Sequence, residues 1–103
     1  MQSKANSMRA AKIDANQIEI VKALRMAGAT VQSLASVGKG VPDLLIGYAN
    51  RTALLEIKDG AKVKSAQKLT PDQVNWHANW RGGTLATVDS IEAALRVLKV
   101  MAA

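Results

Sequence analysis

The segment VPDLLIGYANRTALLEIK, residues 41–58, decides how the rest of the chain is read. Its two apolar runs, VPDLLIGY and TALLEIK, have the composition of strands, and the polar ANR between them reads as a turn, so the segment predicts a β-hairpin. Each run carries one acid, Asp43 in the first and Glu56 in the second. The whole chain has only eight Asp and Glu. Placing two of them on strands that otherwise look buried is costly unless something partners them.

The turn decides where these acids meet. Side chains alternate faces along a strand, so Glu56 and Lys58 point the same way. A two-residue loop at Ala49 and Asn50 sets Asp43 directly across from Glu56. A loop at Asn50 and Arg51 sets it across from Lys58 and diagonal to Glu56. Either register gathers all three on one face, the acids within roughly 5 to 8 Å; a three-residue turn flips that parity. Facing carboxylates repel. Lys58 alone relieves part of this, and a hard divalent cation such as Mg²⁺ relieves more, because it takes oxygen ligands and keeps several waters. Such an ion also makes a water nucleophilic near neutral pH, with Lys58 placed to orient that water or to offset charge on a phosphate.

Outward from the hairpin, the chain reads as one domain. At 103 residues it supports a single modest core. DANQIEIVKALRMAGA carries Ile20, Val21, Leu24 and Ala27 at helical spacing, with Asp14 and Gln17 as a capping box and Gly28 as a stop. ATVQSLASV reads as a first strand, broken by GKG at residues 38–40. After the hairpin, DGAKVKSAQK is a lysine-bearing loop. LTPDQVNWHANWRGG is a strongly signalled helix, with Thr70 as N-cap, Pro71 in the first turn, Gln73 completing the capping box and Gly82–Gly83 as terminator. TLATV is a fourth strand. DSIEAALRVLKVM is a last helix, with Asp89 and Glu92 at its start and Arg96 and Lys99 towards its end, as the helix dipole prefers. The order α-β-β-β-α-β-α predicts an α/β fold, a mixed four-stranded sheet flanked by helices over residues 14–103. Residues 1–13 read as a basic, flexible N-terminal arm.

Composition narrows the chemistry. With no cysteine and a single histidine, His77, neither a thiolate zinc site nor a His-rich metal site can form. Fourteen Lys and Arg against eight acids give a formal net charge of +6, which favours polyanionic partners, nucleic acid before anionic membrane. No apolar run approaches the roughly 20 residues of a membrane span, and the first residues lack the apolar block of a secretory signal. The expected setting is therefore cytoplasmic, in a bacterial or phage-infected cell, and not secreted.

The residues KGVPDLLIGYANRTALLEIK resemble the core of the PD-(D/E)XK nucleases. VGKGVPD, the Glu-x-Lys strand and the LTPDQ helix look most like a stand-alone virus-type replication-repair nuclease (VRR-NUC) domain, over roughly residues 14–100. The resemblance implies a restriction-endonuclease-like core that cuts DNA phosphodiesters with Mg²⁺ or Mn²⁺. It implies Asp43 and Glu56 as metal-binding acids, the Ile57 carbonyl as a further ligand and Lys58 as the catalytic lysine. Glu19 matches a first-helix acid that the family often adds to the metal, and Gln73 a glutamine that supports the site or the phosphate. It also implies a homodimer acting on branched or Holliday-junction DNA. The tight turn between the acidic strands departs from the family, which bears on branch selectivity more than on cleavage.

Each residue also has a plainer reading. Asp43 can cap the turn after Pro42, Lys58 can reach solvent from a strand end, and Glu19 can pair with Lys22 on a helix surface. Gln73 has its capping-box role. Trp76 and Trp80 read as core rather than as a base-stacking platform, and His77 as a helix-surface or packing residue. Lys62, Lys64 and Lys68 form a basic loop placed to grip phosphates, with Lys39 and Arg51 as weaker contacts of the same kind. The rival functions are a non-catalytic nucleic-acid-binding module, in which Asp43, Lys58 and Glu56 form an ion-pair network, and a nuclease subunit targeted by a separate helicase or replication partner.

Overall fold

A computed structural model describes residues 15–60 and 68–103. The elements are α1 (Ala15–Met26), β1 (Thr30–Ser33), β2 (Leu44–Tyr48), β3 (Arg51–Ile57), α2 (Pro71–Asn79), β4 (Thr84–Val88) and α3 (Ile91–Ala102). This is the predicted order, in a small α/β domain. The predicted arm, the Asp14 cap, and Lys62 and Lys64 lie outside the described residues.

The hairpin forms with Leu44 opposite Leu55 and Tyr48 opposite Arg51, so Ala49 and Asn50 alone make the turn. Both have positive φ, 53° and 63°, as a two-residue type I′ turn requires, and its right-handed twist suits the strands it joins. Asparagine tolerates this conformation, whereas alanine meets its own Cβ there. Ala49→Gly is therefore expected to stabilise the protein by about 1 kcal/mol, seen as a rise of about 4–8 °C in the thermal midpoint. An unchanged or lower midpoint would contradict this turn geometry.

β1 pairs antiparallel with β2, and β3 parallel with β4, giving the order β1-β2-β3-β4. The parallel step needs a crossover connection, and α2 lies on it. β1 is shorter than ATVQSLASV suggests. It stops at Ser33, after which the Leu34 amide donates to the Asp43 carbonyl at 2.8 Å.

The two faces of the sheet differ. Leu44, Ile46, Ala53, Leu55, Ile57 and Val88 share one cluster with Ile20 and Leu24 of α1 and with Ala94, Val97, Leu98 and Met101 of α3. On both helices these residues recur every three or four positions, a single stripe turned to the sheet. Each large side chain buried there contributes about 1.5–3 kcal/mol. α1 ends in a Schellman arrangement. Gly28 takes φ 100°, and the Ala29 amide reaches back to the Leu24 carbonyl. α3 is capped by Ser90, whose hydroxyl accepts from the Ala93 amide.

The opposite face carries Leu45, Leu54 and Glu56, alternating with the core positions, and α2 lies over it. The capping box of α2 is complete, with Thr70 accepting from the Gln73 amide and the Gln73 side chain accepting from the Thr70 amide. No residue of α2 is buried, so packing alone does not hold it. One anchor is Gly40, at φ 85°, where an added Cβ would run into the Asp72 carbonyl. The GKG stretch is thus more than a strand breaker. Its last glycine lets the loop entering Asp43 touch the first turn of the helix that carries Gln73.

Candidate active site

The hairpin register extends by one residue to set Asp43 across from Glu56, the first of the two close registers. Asp43 sits just after buried Pro42, at the frayed end of β2, and its Oδ2 accepts from the Ile57 amide at 2.7 Å. It therefore stays fixed to β3 beyond the last paired residue. Within an extended strand a residue's N–H and C=O leave on the same side, so the Ile57 carbonyl also projects towards Asp43. Glu56 is 2 % exposed. Its Oε2 accepts from Gln73 Nε2 at 3.0 Å, and its buried Oε1 meets no amide, hydroxyl or ammonium donor among the described residues, so its neighbour is the Asp43 carboxyl, which it can bond only through a shared proton.

These surroundings change the chemistry of Glu56. Burial, reinforced by the Asp43 carboxyl beside it, pushes its pKa from 4.5 up to about 8, and the charge of Lys58 offsets only part of that. Lys58 does not bridge the acids as an ion-pair network would have it. Its Nζ donates to Gln73 Oε1 at 3.0 Å, which leaves an ammonium with donors to spare.

Gln73 is where the two readings of one residue merge. The Oε1 that closes the capping box also accepts from Lys58, while Nε2 of the same amide holds Glu56. Asparagine is one methylene shorter, and glutamate would present a third anion to the acids. One turn further along α2, half-buried His77 faces the same way. Its Nε2 is buried with no partner among the described residues, and burial together with the charge of Lys58 holds its pKa below the ordinary value. Of the two plain readings, helix surface or packing, the half-buried position fits packing, and its place four residues after Gln73 is the signal that sets it beside the site. Asn16 was also missed. From the first turn of α1 its Nδ2 donates to the Lys58 carbonyl at 2.9 Å, securing the end of β3.

Other predicted residues lie elsewhere. Glu19 is exposed on α1, which packs on the opposite face of the sheet, and lines a groove with Asn16, Asp59, Asp89 and Glu92. It does not join Asp43 and Glu56. Among the described residues, no three Asp, Glu or His side chains come together as a metal cluster. Arg51 is a correction of another kind. It lies at the turn end of the hairpin, away from the acids, and donates to the Met101 and Ala103 carbonyls at 2.8 and 3.0 Å, closing the end of α3. Lys39 is exposed beside α2, and Lys68 is exposed just before it.

Chemically, the site offers two facing carboxyl groups, a backbone carbonyl and an ammonium held by a neutral amide. The two facing carboxyl groups, which must either repel or share a proton, fit a hard cation that keeps most of its own water. No family model matches the chain, and neither a curated protein nor a solved structure matches it significantly. Among the described residues, no helix is long and apolar enough to cross a membrane.

Proposed function

We propose that the protein is a metal-dependent DNA endonuclease of the PD-(D/E)XK type, most like a stand-alone VRR-NUC domain. The observation that carries this reading is the pairing of Asp43 with a buried Glu56 whose pKa that pairing and burial raise, on the face that also presents Lys58. A purely structural site has little reason to bury two carboxyl groups face to face, since without a cation they stand side by side only by sharing a proton.

Asp43, Glu56 and the Ile57 carbonyl would hold Mg²⁺ or Mn²⁺. When bound, the ion supplies charge neutralisation and lowers the pKa of a water at the phosphate. The chain's own part is positioning. Asp43 is fixed by the Ile57 amide and Glu56 by Gln73. Lys58, one donor committed to Gln73, offers the others to a non-bridging phosphate oxygen as negative charge builds there. Cleavage leaving 5′-phosphate and 3′-hydroxyl ends, a homodimer and a preference for branched DNA follow from the resemblance. The net charge of +6 supports a polyanionic substrate.

The test is a panel of labelled duplex, flap, four-way-junction and single-stranded DNA with Mg²⁺, Mn²⁺ or EDTA. Cutting is expected with either metal and none with EDTA. In Lys58→Ala it should fall by on the order of a hundredfold or more, as for loss of a group stabilising transition-state charge, while binding persists. No cutting on any substrate, with binding retained, would favour the non-catalytic module. Cutting undiminished in Lys58→Ala would assign the activity to a contaminant.

A further inference from the structure

α2 has two working stripes, and only one belongs to the site above. Gln73, His77 and Trp80 recur at i, i+4 and i+7 on the side turned to the sheet. Asp72, Asn75, Trp76 and Asn79 recur at i, i+3, i+4 and i+7 on the neighbouring stripe. With Lys39 and Trp80 the second stripe lines a groove of about 410 Å³. The two indoles lie against each other, ring centroids 5.2 Å apart and 18° from parallel.

This pair is not core, although its spacing suggested core. Both rings are half-buried on a helix that buries none of its residues. They are nevertheless rigidly placed. Trp80 Nε1 donates to the Gly83 carbonyl at 2.8 Å, and its ring occupies the space where a Cβ on Gly82 would stand. The backbone that carries the lysine across the groove also has a distinctive conformation. Lys39 takes φ 58° between Gly38 at 73° and Gly40 at 85°, a backbone that non-glycine residues seldom adopt.

We propose that this groove takes an unpaired DNA base, which stacks on the Trp76–Trp80 pair while Lys39 holds an adjoining phosphate. Every base has a π-face, so stacking serves any sequence. The Asn75 amide can pair with a base edge, and the Asp72 carboxylate can accept from the exocyclic amine of adenine, cytosine or guanine. The inference rests on the nuclease reading and narrows its substrate to DNA with an unstacked strand. Lys39 and Gly40 lead directly into Pro42–Asp43, and Gln73 stands on the same helix, so a strand lying along α2 meets both groups.

The chain's two tryptophans are both in this groove, so intrinsic tryptophan fluorescence reports on it alone. The experiment adds to the full chain, in EDTA, a mixed-sequence single strand of about 12 nucleotides, within the usual site size for stacking proteins, or a blunt duplex of equal length. The single strand is expected to quench the fluorescence saturably and the blunt duplex to leave it nearly unchanged. Dissociation constants from fluorescence anisotropy of the labelled strand should rise on the order of tenfold or more in Trp76→Ala. Trp76→Phe, which keeps a stacking face, should restore most of that loss. Binding of the single strand without quenching, equal quenching by the blunt duplex, or unchanged affinity in Trp76→Ala would overturn the proposal. Because EDTA prevents cleavage, these outcomes are independent of the nuclease test. Quenching without any metal-dependent cutting would leave the groove standing and remove the enzyme.

Discussion

Glu56→Gln is expected to make the metal-free protein more stable at pH 9 and, on the nuclease reading, to abolish metal-dependent cleavage. Above its raised pKa of about 8, Glu56 is ionised, buried and opposed by Asp43. The unfolded chain bears none of that cost. Glutamine has nearly the same shape, its carbonyl can still accept from Gln73, and its amide can donate to Asp43 where a second carboxylate repels it. Each tenfold change in proton affinity corresponds to about 1.4 kcal/mol, so the relief should reach several kcal/mol and raise the thermal midpoint by roughly 10–30 °C. At pH 5.5 the folded parent already holds a proton on Glu56, and the two proteins should melt within a few degrees of each other. Activity should move the other way. Losing the anionic ligand forfeits several kcal/mol of transition-state stabilisation, on the order of a thousandfold in rate. Calorimetry in EDTA and cleavage in Mg²⁺ read the two effects separately. A variant less stable than its parent at pH 9 would mean that Asp43 and Glu56 are not in opposition. One that cuts normally would remove Glu56 from the reaction.

Such a trade between stability and the proposed function would explain why part of the site is legible in sequence and part is not. An acid inside ALLEIK breaks a local rule, and a broken rule with no visible compensation is a sequence-level mark of function. Asp43, Glu56 and Lys58 could be found that way, because strand alternation puts them on one face whichever of the two close registers holds. The register itself could not be chosen, since a glycine in the turn would have declared it and Ala49 does not. From local pattern Gln73 reads only as a cap, and its role at the site comes from the resemblance. Its second set of bonds depends on how far α2 stands from β3, which no local pattern encodes. The tryptophans misled for a related reason. Spacing of four sets the two rings beside each other but does not say whether they meet protein or solvent, and both are left half-buried. Glu19 and Arg51 failed through tertiary placement. The Ile20–Leu24 stripe commits α1 to the far face of the sheet, and the Arg51 side chain is drawn to carbonyls at the end of α3.

The metal-free protein is expected to lose stability steadily as pH rises from about 4.5 to about 8, and Mg²⁺ to restore more of it the higher the pH. Glu56 carries its proton in the folded state up to a pKa of about 8, whereas in the unfolded chain it ionises near 4.5. Between those values the folded state binds more protons, so unfolding becomes easier with each step of one in pH, by about 1.4 kcal/mol at most. Below about 4.5 both states are protonated and this contribution is complete; above about 8 both are ionised and it is gone. A divalent cation needs the ionised carboxylate, so in the same window its binding must displace a proton. Apparent Mg²⁺ affinity should therefore climb about tenfold for each rise of one in pH, on the order of a hundredfold from pH 6 to pH 8, and level off beyond. Titration calorimetry in buffers of differing ionisation enthalpy should detect close to one proton released per ion bound at pH 6.5 and almost none at pH 9. Glu56→Gln should abolish the pH dependence along with most of the affinity. Mg²⁺ affinity that is flat from pH 6 to pH 8 in the parent would place the ion elsewhere on the molecule, because a cation at these two carboxyl groups cannot avoid competing with that proton.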